Sequence, residues 1–269
     1  MKAQFIKSNY TGNTKEFWND NWSLESVERQ KDALIWSGYK PIYNKYIKNN
    51  GFLLENGCGL GSSLTYLFKL NDKSIGLDYL FEPLSLLKQS DNKFKLINGN
   101  GFFLPLKNES FTYVISLGVI EHFEISSQQF LVKECYRILK KDRILILSVP
   151  YYNLFKRIRM NLSNTQQKEN KKFFQYLFTT KEIKQFLINN GFNIIDIYYC
   201  NKLTPFYLLY KKLKNFFKSK EIKNLQKTHK NFKSDNMFYK KEKIINFINK
   251  LIPFFLSAAM ITIVCKKNE

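Results

Sequence analysis

The run Leu54-Glu55-Asn56-Gly57-Cys58-Gly59-Leu60-Gly61-Ser62 decides how the rest of the chain is read. Its apolar start reads as a strand, its three glycines as a tight turn and the residues from Ser62 onward as a helix. Glycine at 57, 59 and 61 lets the backbone take positive φ and pass close to a ligand without a Cβ in the way. The helix that follows offers unpaired N–H groups to whatever sits over the turn. A dinucleotide fingerprint needs its third glycine at position 62, where this chain has Ser62. The spacing therefore argues against a nicotinamide dinucleotide and for another nucleoside. The next apolar run ends at Asp78, 17 residues beyond Gly61, where a carboxylate can accept hydrogen bonds from both ribose hydroxyls.

Outward from this run, short β-rich stretches alternate with helical patterns, the signature of βαβ units. Strands are expected at Phe52–Asn56, Ser74–Asp78, Lys95–Asn98, Tyr113–Leu117, Ile144–Val149, Asn193–Tyr199 and Ala259–Cys265. Helices are expected near Ser62–Leu70, Phe81–Gln89, Ser126–Leu139 and Thr180–Asn189, the last with a capped start at Thr180 and a stop at Gly191. The fold class is α/β, a doubly wound, mostly parallel seven-stranded sheet. Residues 1–50 are expected to form a helical cap, with an amphipathic helix near Ser26–Ile47. The core spans 51–200 and is completed by a helix and last strand over 246–269. Two stretches, 151–179 and 201–245, fall outside the alternation and read as insertions beyond strand ends.

The 269 residues are 44% hydrophobic and 16% aromatic, with 11 Gly and 6 Pro, enough for a sizeable core and unlike a disordered chain. A net charge of +21 first suggests a nucleic-acid or anionic-membrane partner. Only five of the 43 basic residues are Arg, whereas phosphate and base recognition favours the arginine fork. The charge is also uneven: residues 1–150 carry 19 basic and 15 acidic side chains, residues 151–269 carry 24 and 7. The basic character belongs to the second half. Cys58, Cys135, Cys200 and Cys265 form no CxxC pair, which indicates neither a disulfide framework nor a zinc site. Met1 to Asn13 is mostly charged and polar, so it is not expected to act as a secretory signal. The most apolar run, Leu251 to Cys265, is 15 residues long against the ~20 that span a bilayer, and Pro253, Ser257 and Thr262 interrupt it. A soluble cytoplasmic protein is expected.

The glycine run resembles the first motif, E-x-G-x-G-x-G, of the class I S-adenosylmethionine (SAM) dependent methyltransferases, and the chain is similar to their small-molecule branch. Gly99-Asn100-Gly101, Leu104-Pro105 and Ser110-Phe111 resemble that family's G-D-A…LPF…SFD segment. Ser116-Leu117-Gly118-Val119-Ile120-Glu121-His122-Phe123 resembles its S-x-G-V-L-E-H stretch, and Glu134-Cys135-Tyr136-Arg137-Ile138-Leu139-Lys140 its E-x-x-R-V-L-K. Ser148-Val149-Pro150 ends the fifth strand in the family's manner, and Phe178-Thr179-Thr180 with Gly191-Phe192 matches its late helix and strand. Five ordered segments carry the likeness. Three places depart from it. Asn100 stands for an Asp that binds the adenine amino group, Thr112 for the Asp of SFD, and Lys141-Asp142-Arg143 for a P-G-G turn.

The resemblance implies SAM as cofactor and a role for each matched residue. Glu55 would reach the methionine ammonium or orient the loop, or else pair with a nearby Lys. Gly57, Cys58, Gly59 and Gly61 would wrap the cofactor, Asp78 bind its ribose, and Asn100, Gly101 and Phe102 border the adenine, with Phe102 or Leu80 against the ring. Leu117 and Gly118 would line the methionine part. His122 is either a general base or a structural histidine. Trp18, Trp22, Tyr151 and Tyr152 are candidates for the acceptor walls, or else packing residues. The stretch 204–217 mixes aromatics with lysines and reads either as a cover over the sheet edge or as a peripheral contact with an anionic membrane at its inner face. The acceptor implied is a small molecule or a glycan-linked group, as in surface-polysaccharide synthesis. The alternatives are a quinone or lipid methyltransferase at the membrane surface and an inactive SAM-fold module binding RNA or a partner. No specific nucleic acid and no metal are expected.

Overall fold

In the computed structural model the described residues are 1–7, 18, 38–162, 171–200 and 258–268. Strand β2 (Leu53–Asn56) is buried at all four positions, which requires a strand on each side and protein on both faces. Its neighbours β3 (Ser74–Asp78) and β5 (Phe111–Leu117) are parallel to it, with Leu54 between Ile75 and Val114. β4 (Lys95–Asn98) lies beyond β3 and β6 (Leu139–Pro150) beyond β5, both parallel again. β9 (Met260–Lys267) runs antiparallel between β6 and β8 (Phe192–Cys200) and completes the order β4-β3-β2-β5-β6-β9-β8. The expected seven-stranded, mostly parallel sheet is present.

The helices are α1 (Lys40–Tyr46), α2 (Ser62–Leu70), α3 (Phe81–Ser90), α4 (Ile125–Ile138), α5 (Leu154–Leu162) and α6 (Thr180–Asn189). Because side chains alternate along a strand, consecutive apolar residues feed opposite layers. Leu53, Tyr113, Ile115 and Ile146 join Ile42 and Tyr43 of α1 and Leu67 of α2 in one cluster. Leu54, Val114, Leu145 and Leu147 join Leu131 and Val132 of α4 and Ile183 and Leu187 of α6 in the other. Each fully buried aliphatic contributes about 1.5–3 kcal/mol. α6 opens on a capping box: Glu182 N donates to Thr179 Oγ1, and Thr179 N donates to Glu182 Oε2 at 2.8 Å. Among the described residues no helix is long and apolar enough to cross a membrane.

One part of the sequence reading is corrected. The first fifty residues are not uniformly helical: Lys2–Lys7 is strand β1, antiparallel to β7 (Lys171–Leu177) from Lys2↔Leu177 to Lys7↔Lys171. Of the helix expected near Ser26–Ile47, α1 is the described part, and residues 26–37 lie outside the described residues. The stretch 151–179, expected as an insertion after the fifth strand, supplies α5 and β7. Neither strand of this ribbon has a sequence neighbour to pair with, so contiguous reading could not find it. Trp22, the stretch 201–245 with 204–217, and the helix expected after 246 lie outside the described residues.

Candidate active site

The parallel strands β2, β3, β5 and β6 end on one edge of the sheet, so Asn56, Asp78, Leu117 and Pro150 open onto common ground, where open α/β sheets bind their ligands. Gly57 follows β2 at φ +83, and a Cβ on it would lie 2.4 Å from Val119 Cγ2. Gly61, at φ +70, would set a Cβ 2.5 Å from Leu87 Cδ2. Backbone and neighbours therefore both demand glycine at these two positions. Cys58 is buried with Sγ beside Gly76, so its contribution to the turn is backbone.

The turn is tied to the next strand by a carboxylate. Asp78 accepts from Gly59 N at 2.8 Å through Oδ2 and from Leu80 N at 3.0 Å through Oδ1. Burial raises its pKa, opposed by these and the Tyr79 backbone contacts. Across the turn Glu55 is 4% exposed, and its Oε2 has no hydrogen-bond partner among the described residues. Burial, and after it the charge of Asp78, pushes the Glu55 carboxyl up to about 8. A buried carboxyl oxygen without a donor costs on the order of 1–3 kcal/mol. That position fits a cationic or proton-donating group brought by a ligand.

On the far side of β3, Gly101 packs against Asn56, since a Cβ there would lie 2.7 Å from Asn56 Oδ1. Asn100 Oδ1 accepts from Phe102 N at 3.0 Å, an Asx turn. The oxygen expected to face an adenine amino group therefore also holds its own loop, with its second lone pair remaining for a ligand. Phe102 is half-buried and edge-on to Phe123, ring centroids 4.6 Å apart. Leu80 is buried.

After β5 the chain passes through Gly118, at φ +69 and bonded from N to Ser148 O at 2.9 Å, into a short 3-10 turn over Ile120–His122. This turn sets Glu121 and His122 side by side at the carboxyl edge. Glu121 is 2% exposed, its Oε2 has no partner among the described residues, and its Oε1 lies 3.9 Å from His122 Nε2. Burial pushes its carboxyl up to about 8, with Lys156 and the residue's own backbone opposing. His122 Nδ1 is 2.8 Å from Phe174 O. A carbonyl only accepts, so the proton sits on Nδ1 and the lone pair on Nε2. Burial drives the imidazole pKa down to about 4, which leaves it neutral at pH 7. Phe174 and Trp18 stand edge-on to it at 5.1 and 4.8 Å between centroids.

The structure thus gathers Glu55, the glycines, Asp78, Asn100, Gly101, Phe102, Leu117, Gly118, His122 and Trp18 at one edge. Tyr151 and Tyr152 start from that edge but are taken up by packing. Tyr151 bridges Phe178 and lies 5.2 Å from the Tyr199 ring, and Tyr152 sits under Arg157. Sequence reasoning passed over Glu121 and Phe174. The pairing of an acid with His122 in the chain was a visible signal for the first, but the burial that strips it of partners was not. Phe174 carried no signal, because its role depends on β7 folding back over the turn. Among the described residues no group of three His, Cys, Asp or Glu is placed to hold a metal.

Residues 54–147 match the family model described as a methyltransferase domain. The chain is 29% identical over 215 residues to an uncharacterized protein of Methanocaldococcus jannaschii, covering 69% of this chain and 82% of that one. It is 31% identical over 98 residues to a probable SAM-dependent methyltransferase of Mycolicibacterium smegmatis, covering 36% and 37% of the two chains. A SAM-dependent methyltransferase structure from Archaeoglobus fulgidus superposes with a TM-score of 0.56 at 18% identity, over 94% of this chain and 100% of that one. At such low identity the structural likeness establishes the fold. The matched domain and the fold support a SAM-dependent methyltransferase of class I, with SAM as cofactor.

Proposed function

We propose that this class I SAM-dependent methyltransferase methylates a hydroxyl or amino group of a small-molecule or glycan-linked acceptor, with His122 taking the acceptor's proton. The observation that carries this reading is the tautomer imposed on His122: Nδ1 bound to Phe174 O turns Nε2 into the basic nitrogen. The residues present fit the cofactor. The unpartnered Oε2 of Glu55 would accept from the methionine ammonium, and Asp78 retains lone pairs for ribose hydroxyls beside the two N–H groups it already holds. Gly57, Cys58, Gly59 and Gly61 would approach through backbone, Leu117 and Gly118 along the methionine, and Asn100, Gly101 and Phe102 around the adenine.

SAM supplies, when bound, a methyl group on a sulfonium that needs no further activation. The protein's task is then to place the acceptor in line and keep water out. Trp18 and Phe174, edge-on to the imidazole, serve the second purpose. His122 Nε2 would accept the proton of the acceptor's O–H or N–H, leaving that bond's electron pair on the nucleophile, while the bound cofactor would supply the methyl carbon and keep the carbon–sulfur electron pair on sulfur. Glu121, 3.9 Å away, when ionised stabilises the imidazolium so formed. Calorimetric titration with SAM and S-adenosylhomocysteine tests the cofactor site; no binding of either by folded protein overturns it. Transfer of labelled methyl into a fractionated host extract tests the acceptor. A product methylated only on carbon or sulfur would overturn the hydroxyl-or-amine assignment.

A further inference from the structure

Helix α5 turns its polar anchors inward and its apolar stripe outward. Asn153, just before it, donates from Nδ2 to Ala258 O at 2.7 Å and accepts through Oδ1 from Lys156 N at 2.8 Å. Lys156 Nζ donates to Tyr151 O at 3.0 Å and Ala259 O at 3.2 Å. Positions 154, 155 and 158 share one side of a helix, and there Leu154, Phe155 and Ile158 are 38%, 50% and 47% exposed. A helix on a globular surface arranges these faces the other way round. Adjacent exposed apolar side chains of this size mark a contact surface.

Charge and chain path say what meets it. Met260 pairs with both Pro150 and Cys200, so the chain between 200 and 258 leaves and rejoins the sheet at the edge from which α5 springs. The sequence of that stretch, residues 201–257, carries 14 Lys against 3 acidic residues, with aromatics between them. Arg157, exposed on α5, adds to the same sign. So basic a sequence beside the exposed Arg157 opposes pairing with a second copy of this chain and suits a partner that is apolar within and negative at its face.

We propose that α5 docks this edge on an anionic lipid bilayer, with Leu154, Phe155 and Ile158 entering the boundary between headgroups and acyl chains and Arg157 meeting headgroup phosphates. The carboxyl edge that holds Glu121 and His122 then faces the membrane, and the acceptor is one carried by lipid. That last consequence rests on the proposed acceptor site, whereas the docking does not require methyl transfer. The test is co-sedimentation of the full chain with vesicles of equal parts phosphatidylglycerol and phosphatidylcholine, against phosphatidylcholine alone. Binding is expected only to the anionic vesicles, falling as salt rises, and weakened at least about tenfold by Phe155→Ser with Ile158→Ser. Calorimetric SAM binding, unchanged in the double variant, shows that the fold is intact and reports separately on the cofactor site. Absence of anionic binding, or binding untouched by the double variant, overturns the proposal. So does a vesicle-free dimer that the same variant disperses, which would make the stripe a self-association face.

Discussion

The side of the carboxyl edge proposed for the cofactor and the side proposed for the acceptor are built by opposite means. On the cofactor side, backbone does most of the shaping: Gly57 and Gly61 take left-handed turns that no side chain fits, and Asp78 clamps Gly59 and Leu80 through main-chain N–H groups. Glu55, the glycine turn and Asp78 come from one continuous β-α-β unit. On the acceptor side the parts come from four places in the chain, with Trp18, His122, Lys156 and Phe174 brought to one corner by the β1–β7 ribbon and by α5. Net charge divides along the same line, nearly balanced before residue 150 and strongly basic after it. A nucleotide-like group shared by many enzymes is met by a local motif. An acceptor particular to one enzyme is met by walls assembled from afar.

If that division is real, damage on one side should leave the other intact. The largest effect is expected from His122→Asn, which keeps an N–H donor for Phe174 O but no basic nitrogen. Turnover should fall about 10²–10⁴-fold while SAM affinity in calorimetry holds; equal loss of both would erase the distinction. Next, Asp78→Ala should weaken SAM by about 10²-fold through lost charge-assisted hydrogen bonds, with vesicle binding unmoved.

A pH series adds a smaller, directional effect. The Glu55 carboxyl titrates at about 8 in the free protein, and its charged form is the one that welcomes an ammonium. SAM affinity should therefore be greatest above that value and decline, by up to about tenfold per unit, as pH falls from about 8 to 6. Glu55→Gln should bind more weakly and lose this slope. A wild-type affinity that stays level through that range would remove Glu55 from the cofactor site. Last, Thr179→Ala should cost about 1 kcal/mol of stability in chemical denaturation by opening the capping box of α6, with SAM binding unaffected.

Much of the scaffold was legible before folding was considered. The bounds of α2, β3, β4 and α6 are those the residue pattern predicts, because each is a short apolar run closed by its own stop signal. β6 was harder: it begins at Leu139, directly after α4, and carries Asp142 at φ +58 within it, where Lys141-Asp142-Arg143 reads as a turn. The glycines and Asp78 were legible for the same reason as the strands, being neighbours in sequence. His122 was legible as a residue type, but its tautomer was not, since that depends on a carbonyl 52 residues away.

The sequence by itself thus determined the α/β class, the glycine turn and the carboxylate that clamps it, all features whose physics is contained in a few consecutive residues. Only the tertiary structure decided that Lys2–Lys7 pairs with Lys171–Leu177, that α5 shows its apolar side, and that Glu55 and Glu121 are buried with an oxygen unfilled. The reason is desolvation. Pattern says which residues favour the interior, but whether a carboxyl group loses water, and whether any donor replaces it, depends on what the distant parts of the chain bring alongside.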